Sequence, residues 1–150
     1  MTSASKVGGP WTLGEVESFL DRYVAPVRLA VVSPSGFPLV CSLWYLYEGG
    51  RILCATQGGA RVVEALRGDP RCGFEIAPNE PPYFGVRGQG EVALSGEGAL
   101  ALLGRLVDRY LGTRESRFAR WLLESRRDEV VLAIDPGWIT SWDYRQRMDA

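Results

Sequence analysis

The sequence predicts a mainly β fold, an antiparallel barrel with flanking helices. Three observations carry that prediction. About seven apolar, strand-like runs are joined mostly by short turns. Strands and helices do not alternate, which argues against a doubly wound parallel sheet. Two amphipathic helical stretches stand side by side late in the chain and are not spread between strands.

The elements follow in order. Thr12-Leu13-Gly14-Glu15 is a capping box that opens a helix to about Tyr23, with Val16, Phe19, Leu20 and Tyr23 on one face. Pro26 closes it. Val27 to Ser33 reads as a strand, Pro34 to Pro38 as a turn, and Leu39 to Tyr47 as a second strand. That second strand shows little polar alternation, so both its faces are expected to be covered. Glu48-Gly49-Gly50 makes a hairpin to a third strand, Arg51 to Thr56, followed by a short helix from Ala60 to Arg67. Arg71 to Ala77 and Tyr83 to Ser95 are the fourth and fifth strands, separated by the loop Pro78 to Pro82. Phe84, Val86, Val92 and Leu94 share one face of the fifth, and Arg87, Gln89 and Glu91 the other. Gly85, Gly88 and Gly90 within it predict a bulge, a bend or a close approach. Gly98 to Leu111 is a helix with Leu100, Leu103, Leu106, Val107, Tyr110 and Leu111 as its apolar stripe. A second helix runs from about Arg114 to Arg127, and its arginines 114, 117, 120, 126 and 127 read as a solvated face. Glu129 to Asp135 and Trp138 to Tyr144 are two last strands around Pro136-Gly137.

The chain of 150 residues suits one domain, with residues 1–10 as a flexible tail and residues 11–150 as the folded unit. A net charge of −1 predicts neither a nucleic-acid nor a membrane partner. No histidine is present, which excludes Ser-His-Asp and Cys-His nucleophile systems and imidazole zinc sites. Cys41, Cys54 and Cys72 each lie in an apolar run and fit structural thiols of a reducing, cytoplasmic compartment. No metal site is expected. Gly88-Gln89-Gly90-Glu91-Val92-Ala93 matches a dinucleotide fingerprint only in letters, because it lies inside a strand and opens no helix.

The run Thr56-Gln57-Gly58-Gly59-Ala60-Arg61 carries the main functional signal. A strand hands over to a helix through two glycines, and helix starts favour anions. Arg61 falls in the first helical turn, where the helix dipole disfavours a cation. A bound phosphate would relieve that conflict, with Thr56, Arg61 and backbone amides facing it. A plain strand-to-helix turn with a solvated arginine is the other reading of these residues.

Several pieces, taken in order and spacing, resemble the pyridoxamine 5′-phosphate oxidase-like, FMN-binding split-barrel family. They are Gly36-Phe37-Pro38, Ser42 to Tyr47, Thr56 to Arg61, Leu66 to Arg71, and Pro81-Pro82-Tyr83 leading into Val86 to Glu91. Arg109-Tyr110-Leu111-Gly112 and Ser141 to Tyr144 extend the resemblance over about residues 12 to 145. The resemblance implies a split β-barrel homodimer with two flavin sites at the subunit interface, and a flavin- or deazaflavin-dependent oxidoreductase. It implies that Ser42, Leu43 and Trp44 lie along the isoalloxazine ring, that Thr56, Gly58, Gly59 and Arg61 bind the cofactor phosphate, and that Gln89 and Trp138 reach the cofactor of the other subunit. Many relatives have lysine at the position of Arg61, and arginine also binds phosphate.

FMN is the expected cofactor and coenzyme F-420 the alternative, with Arg67, Arg71 and Arg87 as cations for its acidic tail. A non-catalytic flavin- or haem-binding barrel and a structural dimer with a vestigial site are the competing classes. The substrate is an unidentified small molecule. The sequence selects no catalytic residue; Tyr45, Tyr47 and Tyr83 are candidate proton donors. The family's oxidase uses an arginine and histidine motif for its substrate phosphate, so a chain with no histidine is not expected to oxidise pyridoxamine phosphate.

Overall fold

A computed structural model describes residues 6–125 and 128–149. The chain runs β1 (Lys6–Gly8), α1 (Leu13–Arg22), β2 (Val27–Val32), β3 (Pro38–Leu43), β4 (Leu46–Glu48) and β5 (Arg51–Gln57). Then come α2 (Arg61–Gly68), β6 (Arg71–Ile76), β7 (Phe84–Ser95), α3 (Ala99–Leu111), α4 (Arg117–Ser125), β8 (Glu129–Asp143) and α5 (Arg145–Met148).

The strands form one sheet in the order β3-β2-β6-β7-β8-β5-β4, antiparallel along that path, with β1 added in parallel to β8. The two edges of this path, β3 and β4, are separated in sequence by Trp44 and Tyr45 alone. Such a connection spans at most about 11 Å. The edges must therefore lie close together, and the sheet curls into a half-barrel with a seam where β3 gives way to β4. Leu29, Ile52, Ile76, Leu132, Ile134 and Ile139 are fully buried inside the curl.

The seam is closed by side chains. A broken strand leaves backbone groups without ladder partners, and buried ones must be satisfied. Tyr110 of α3 does this: its hydroxyl accepts from the Tyr45 N–H at 3.0 Å and donates to the Ala25 carbonyl at 2.8 Å. Its ring stacks on Trp44 with centroids 5.0 Å apart. Tyr45 itself is fully buried, and its hydroxyl lies within hydrogen-bond reach of the Leu20 and Tyr23 carbonyls at the end of α1. Arg109 completes the knot by donating to the Leu20, Asp21 and Tyr23 carbonyls.

Several sequence expectations are met. Thr12 and Glu15 form the capping box. Gly49 and Gly50 both take positive φ, as a tight β4–β5 hairpin requires. The β7 glycines serve both expected roles: the register shifts between Gln89 and Gly90, and a Cβ at Gly88 would overlap the Trp138 carbonyl.

Others are corrected. The second strand is two strands, broken at the seam. Its β3 half is an edge that alternates exposed and half-buried residues, with Val40 64% exposed, so one chain does not cover both faces. Pro136-Gly137 is no turn between strands: Gly90 pairs with Pro136 and Gln89 with Trp138, which leaves Gly137 as the extra residue of a bulge inside the continuous β8. Lys6–Gly8, expected in a flexible tail, pair with Trp138, Ile139 and Thr140; residues 1–5 lie outside the described residues. On α3 Leu100 is exposed, and Leu102 is buried in its place. Arg114 precedes α4 and pairs with Asp108, and Arg120 pairs with Glu115 on the surface. Arg126 and Arg127 lie outside the described residues. Cys54 and Cys72 are buried and Cys41 half-buried, all as free thiols. Among the described residues no helix is long and apolar enough to cross a membrane.

Candidate functional site

The seam creates a cavity of about 220 Å³. Ser42, Leu43 and Trp44 enter from the end of β3, and Ala55 and Thr56 from β5. Leu103, Leu106, Phe118 and Leu122 of α3 and α4 form an apolar roof, and Glu129 at the start of β8 supplies a buried carboxylate. The Trp44 ring is held between the Tyr110 stack and a perpendicular contact with Phe118, centroids 6.5 Å apart. Ser42 accepts a hydrogen bond from Arg28 of β2 at 2.7 Å. Four of the residues singled out in the sequence thus meet at one place.

The turn from β5 into α2 behaves differently from its sequence reading. Neither Gly58 nor Gly59 adopts a positive φ. Gly58 is needed for close approach instead, since a Cβ there would lie 2.7 Å from Asp128 Oδ2. Its N–H donates to the Asp128 carbonyl at 2.7 Å, and the Ala60 N–H donates to Gln57 at 3.0 Å. Those two amides are therefore engaged within the protein. The first turn of α2 is another matter: Ala60 occupies the cap position and no side chain caps the helix. Arg61 stands in that first turn and is exposed. It lines a separate hollow with Glu64, the turn residues Ser33, Pro34, Ser35 and Phe37 and the start of β3, and is not among the residues of the seam cavity.

Gln89 and Trp138 line a third concavity of about 660 Å³. Its place follows from the registers. Val40, Ala30, Gly73, Gln89 and Trp138 are successive cross-strand partners over β3, β2, β6, β7 and β8. Ser42, Arg28, Glu75, Arg87 and Thr140 form the neighbouring row on the same outer face. Small residues at Ala30 and Gly73 make the first row a trough. Within one chain Gln89 and Trp138 do not converge with Thr56 or Arg61.

Two of the three candidate proton donors, Tyr45 and Tyr47, are already hydrogen-bonded within the fold. Burial drives the Tyr45 hydroxyl well above the ordinary tyrosine range. Burial, then the Glu17 carboxylate that accepts its hydrogen bond at 2.9 Å, does the same to Tyr47. Tyr83 lies on another hollow, with Arg87, Trp142 and Tyr144. The three candidate tail-binding arginines are engaged too. Arg67 donates to the Gly58 carbonyl at 3.3 Å, Arg71 pairs with Asp69 at 2.7 Å, and Arg87 lies 5.4 Å over the Trp142 ring. The roof of α3 and α4 was not legible in the sequence as part of the site. The signal was the spacing of Phe118 and Leu122, four residues apart and so on one side of α4.

No family profile and no curated protein matches the chain. Solved structures do. Conserved hypothetical protein Rv2991 from Mycobacterium tuberculosis superposes with a TM-score of 0.75 at 23% identity, over 93% of this chain and 89% of that one. An F-420 reductase superposes with a TM-score of 0.66 at 22% identity, over 82% and 94%. A putative pyridoxamine 5′-phosphate oxidase from Listeria innocua gives a TM-score of 0.64 at 15% identity, over 85% and 95%. The chain therefore has the fold of the pyridoxamine 5′-phosphate oxidase-like split barrels, as its sequence resemblance implied.

Proposed function

We propose that this protein is a homodimeric oxidoreductase that binds a flavin-type cofactor, FMN in the first place, and exchanges hydride with a small molecule. The observation that carries the reading is the convergence of Ser42, Leu43, Trp44 and Thr56 on one cavity; Arg61 follows Thr56 in the chain at the uncapped start of α2, on its own hollow. The residues fit the group. An apolar, aromatic-lined hollow suits part of a ring system, and a helix start that no side chain caps, with an arginine at its first position, suits a phosphate. Thr56, the Arg61 side chain and the backbone amides of Arg61 and Val62 would hold the phosphate; the Val63 N–H already donates to the Ala60 carbonyl at 3.1 Å, and Gly58 acts by letting the turn approach Asp128, not by donating its own amide.

Such a cofactor supplies the hydride chemistry when bound, while the protein positions it and excludes water. Trp44 is the rigid wall, because its ring is already clamped by Tyr110 and Phe118. Leu103, Leu106 and Leu122 keep water from that side of the cavity. FMN is favoured over F-420 because Arg67, Arg71 and Arg87 already have partners in the fold and do not line an open cationic groove. Homodimerism is supported by the exposed outer face: Val40 is 64% and Trp138 37% exposed, and a second copy would cover them. The same contact would bring Gln89 and Trp138 of one protomer to the cavity of its partner.

The test is an absorbance titration of the purified protein with FMN, then F-420, then haem. Saturable binding of FMN, weakened by about 1.5–3 kcal/mol in Arg61→Ala, is the expected result. F-420 binding alone would change the cofactor. Haem binding alone would remove the oxidoreductase reading. An unchanged affinity in Arg61→Ala would remove that residue from the site.

A further inference from the structure

A further concavity lies between α1 and the point where β7 begins and β8 ends, at the other end of β8 from the Gln57–Glu129 pairing that leads into α2. It measures about 400 Å³ and shares no lining residue with the seam cavity or the Arg61 hollow. Four half-buried aromatic side chains, Trp11, Phe19, Tyr23 and Phe84, form its floor and walls. Phe19 stacks on Tyr23 at 4.9 Å and meets Phe84 edge-on at 6.0 Å, and Trp11 lies 5.2 Å from Phe19.

These walls are fixed before any ligand arrives. The Trp11 N–H donates to Ser141 Oγ at 3.0 Å and its indole N–H to Asp143 Oδ2 at 3.2 Å. Arg145 chelates Asp143 through Nε and Nη2, at 2.9 and 2.6 Å, and its guanidinium lies 4.4 Å over the Phe84 ring. Pockets of this size lined by aromatic rings with a few polar groups at the rim are the usual form of small-molecule sites.

The rim selects the polar end of the ligand. Arg22, in the last turn of α1, has no ion pair or side-chain hydrogen bond among the described residues. Arg145 keeps Nη1 outside its bidentate contact with Asp143. The acidic rim group, Glu15, is engaged in the capping box through the Thr12 N–H. Unspent donors therefore outnumber unspent acceptors, and Arg matches a carboxylate in a planar, two-pronged geometry. We propose that this concavity is a separate binding site for a planar aromatic carboxylate, its ring against Phe19, Tyr23 and Phe84 and its carboxylate on Arg22 and Arg145.

Calorimetric titration of the full chain with 1-naphthoate, 1-naphthalenemethanol and 1-naphthylmethylamine tests this. The carboxylate should bind saturably and most tightly. Arg22→Ala should weaken it about fivefold, the scale of an exposed charge contact, and leave the alcohol unchanged. Ser18→Trp, at an exposed rim position of α1, should fill the hollow and abolish binding of all three with the thermal midpoint retained. Arg61→Ala should leave naphthoate binding unchanged, which separates this site from the cofactor site. Absence of saturable binding, tighter binding of the amine, binding that survives Ser18→Trp, or loss of binding in Arg61→Ala would each overturn the proposal.

Discussion

The seam around Tyr45 and the trough around Trp138 are built on opposite principles. At the seam one chain completes its own structure: Tyr45 is fully buried, and Tyr110 and Arg109 serve the carbonyls that the broken strand and the end of α1 leave open. In the trough the chain leaves structure unfinished. Trp138 and Val40 are exposed on a face that no other part of the described chain covers. The seam is not perfect, since the buried Arg109 Nε has no hydrogen-bond partner among the described residues. Substitutions of Tyr45 and Tyr110, which hold the seam together, should act on stability, those of Ser42, Trp44, Thr56 and Arg61 on ligand binding, and those in the trough on assembly.

The largest effect should come from Tyr110→Ala. It removes the ring that stacks on Trp44, the acceptor for the Tyr45 N–H and the donor to Ala25. Truncating a packed aromatic costs about 3–5 kcal/mol. Chemical denaturation should place the loss in that range, whereas a loss under about 1 kcal/mol would mean that the seam is not held by this residue. Tyr45→Phe is the milder form. It deletes only the hydroxyl that reaches the Leu20 and Tyr23 carbonyls, and should cost about 1–3 kcal/mol because buried carbonyls lose a donor. Trp138→Asp, by contrast, should leave the unfolding free energy of the monomer within about 0.5 kcal/mol, as exposed substitutions do. It should shift sedimentation velocity toward a single-chain species. A dimer that survives Trp138→Asp would place the interface elsewhere.

Thiol reactivity sharpens the same contrast without mutation. Burial raises all three thiols, Cys72 to about 11 and Cys54 further still, while Cys41 on the edge strand β3 is half-buried. With a disulfide reagent at neutral pH, Cys41 should react first. Cys54 and Cys72 should wait for unfolding, because the thiolate is the reacting form. Addition of FMN should slow Cys41 if the β3 edge is covered in the assembled protein. Equal rates for all three would show that the barrel opens on the timescale of the reaction.

Legibility in the sequence follows the range of the interactions. Local rules were readable: the Thr12–Glu15 box, the Gly49-Gly50 hairpin and the alternation of β7 each depend on neighbours within a few residues. The seam was not readable, because Leu39 to Tyr47 is one apolar run by composition. Only the return of the chain to its own far edge breaks it between Leu43 and Leu46. Pro136-Gly137 misled for a related reason, since the residues of a turn also serve a bulge and only pairing with Gln89 and Gly90 decides between them. For the site, Ser42 to Trp44 and Thr56 were brought together by resemblance and by fold alike. The roof of α3 and α4 and the engagement of the Gly58 amide by Asp128 are tertiary facts that no local pattern encodes.

The smallest predicted effect lies at the aromatic hollow and is read by acid. Asp143 is held near 2, below its ordinary 3.8, first by hydrogen bonds from the Arg145 side chain, with the Arg145 N–H and the Trp11 indole adding to them. A carboxylate depressed in the folded state contributes its full stabilisation above the unfolded value and loses it as pH falls through the folded one. The window therefore runs from about pH 4 down to about pH 2. Arg145 is half exposed, with 49% of its side chain accessible, so solvent screening keeps the contribution at or below about 1 kcal/mol. Asp143→Asn should lower stability by that amount at neutral pH and flatten the decline of the thermal midpoint across the window. Trp11 fluorescence should change in the same window in the parent chain alone, because its indole loses a charged acceptor there. Identical acid profiles for parent and variant would mean that the Asp143–Arg145 pair orders neither the β8 terminus nor the wall of the hollow.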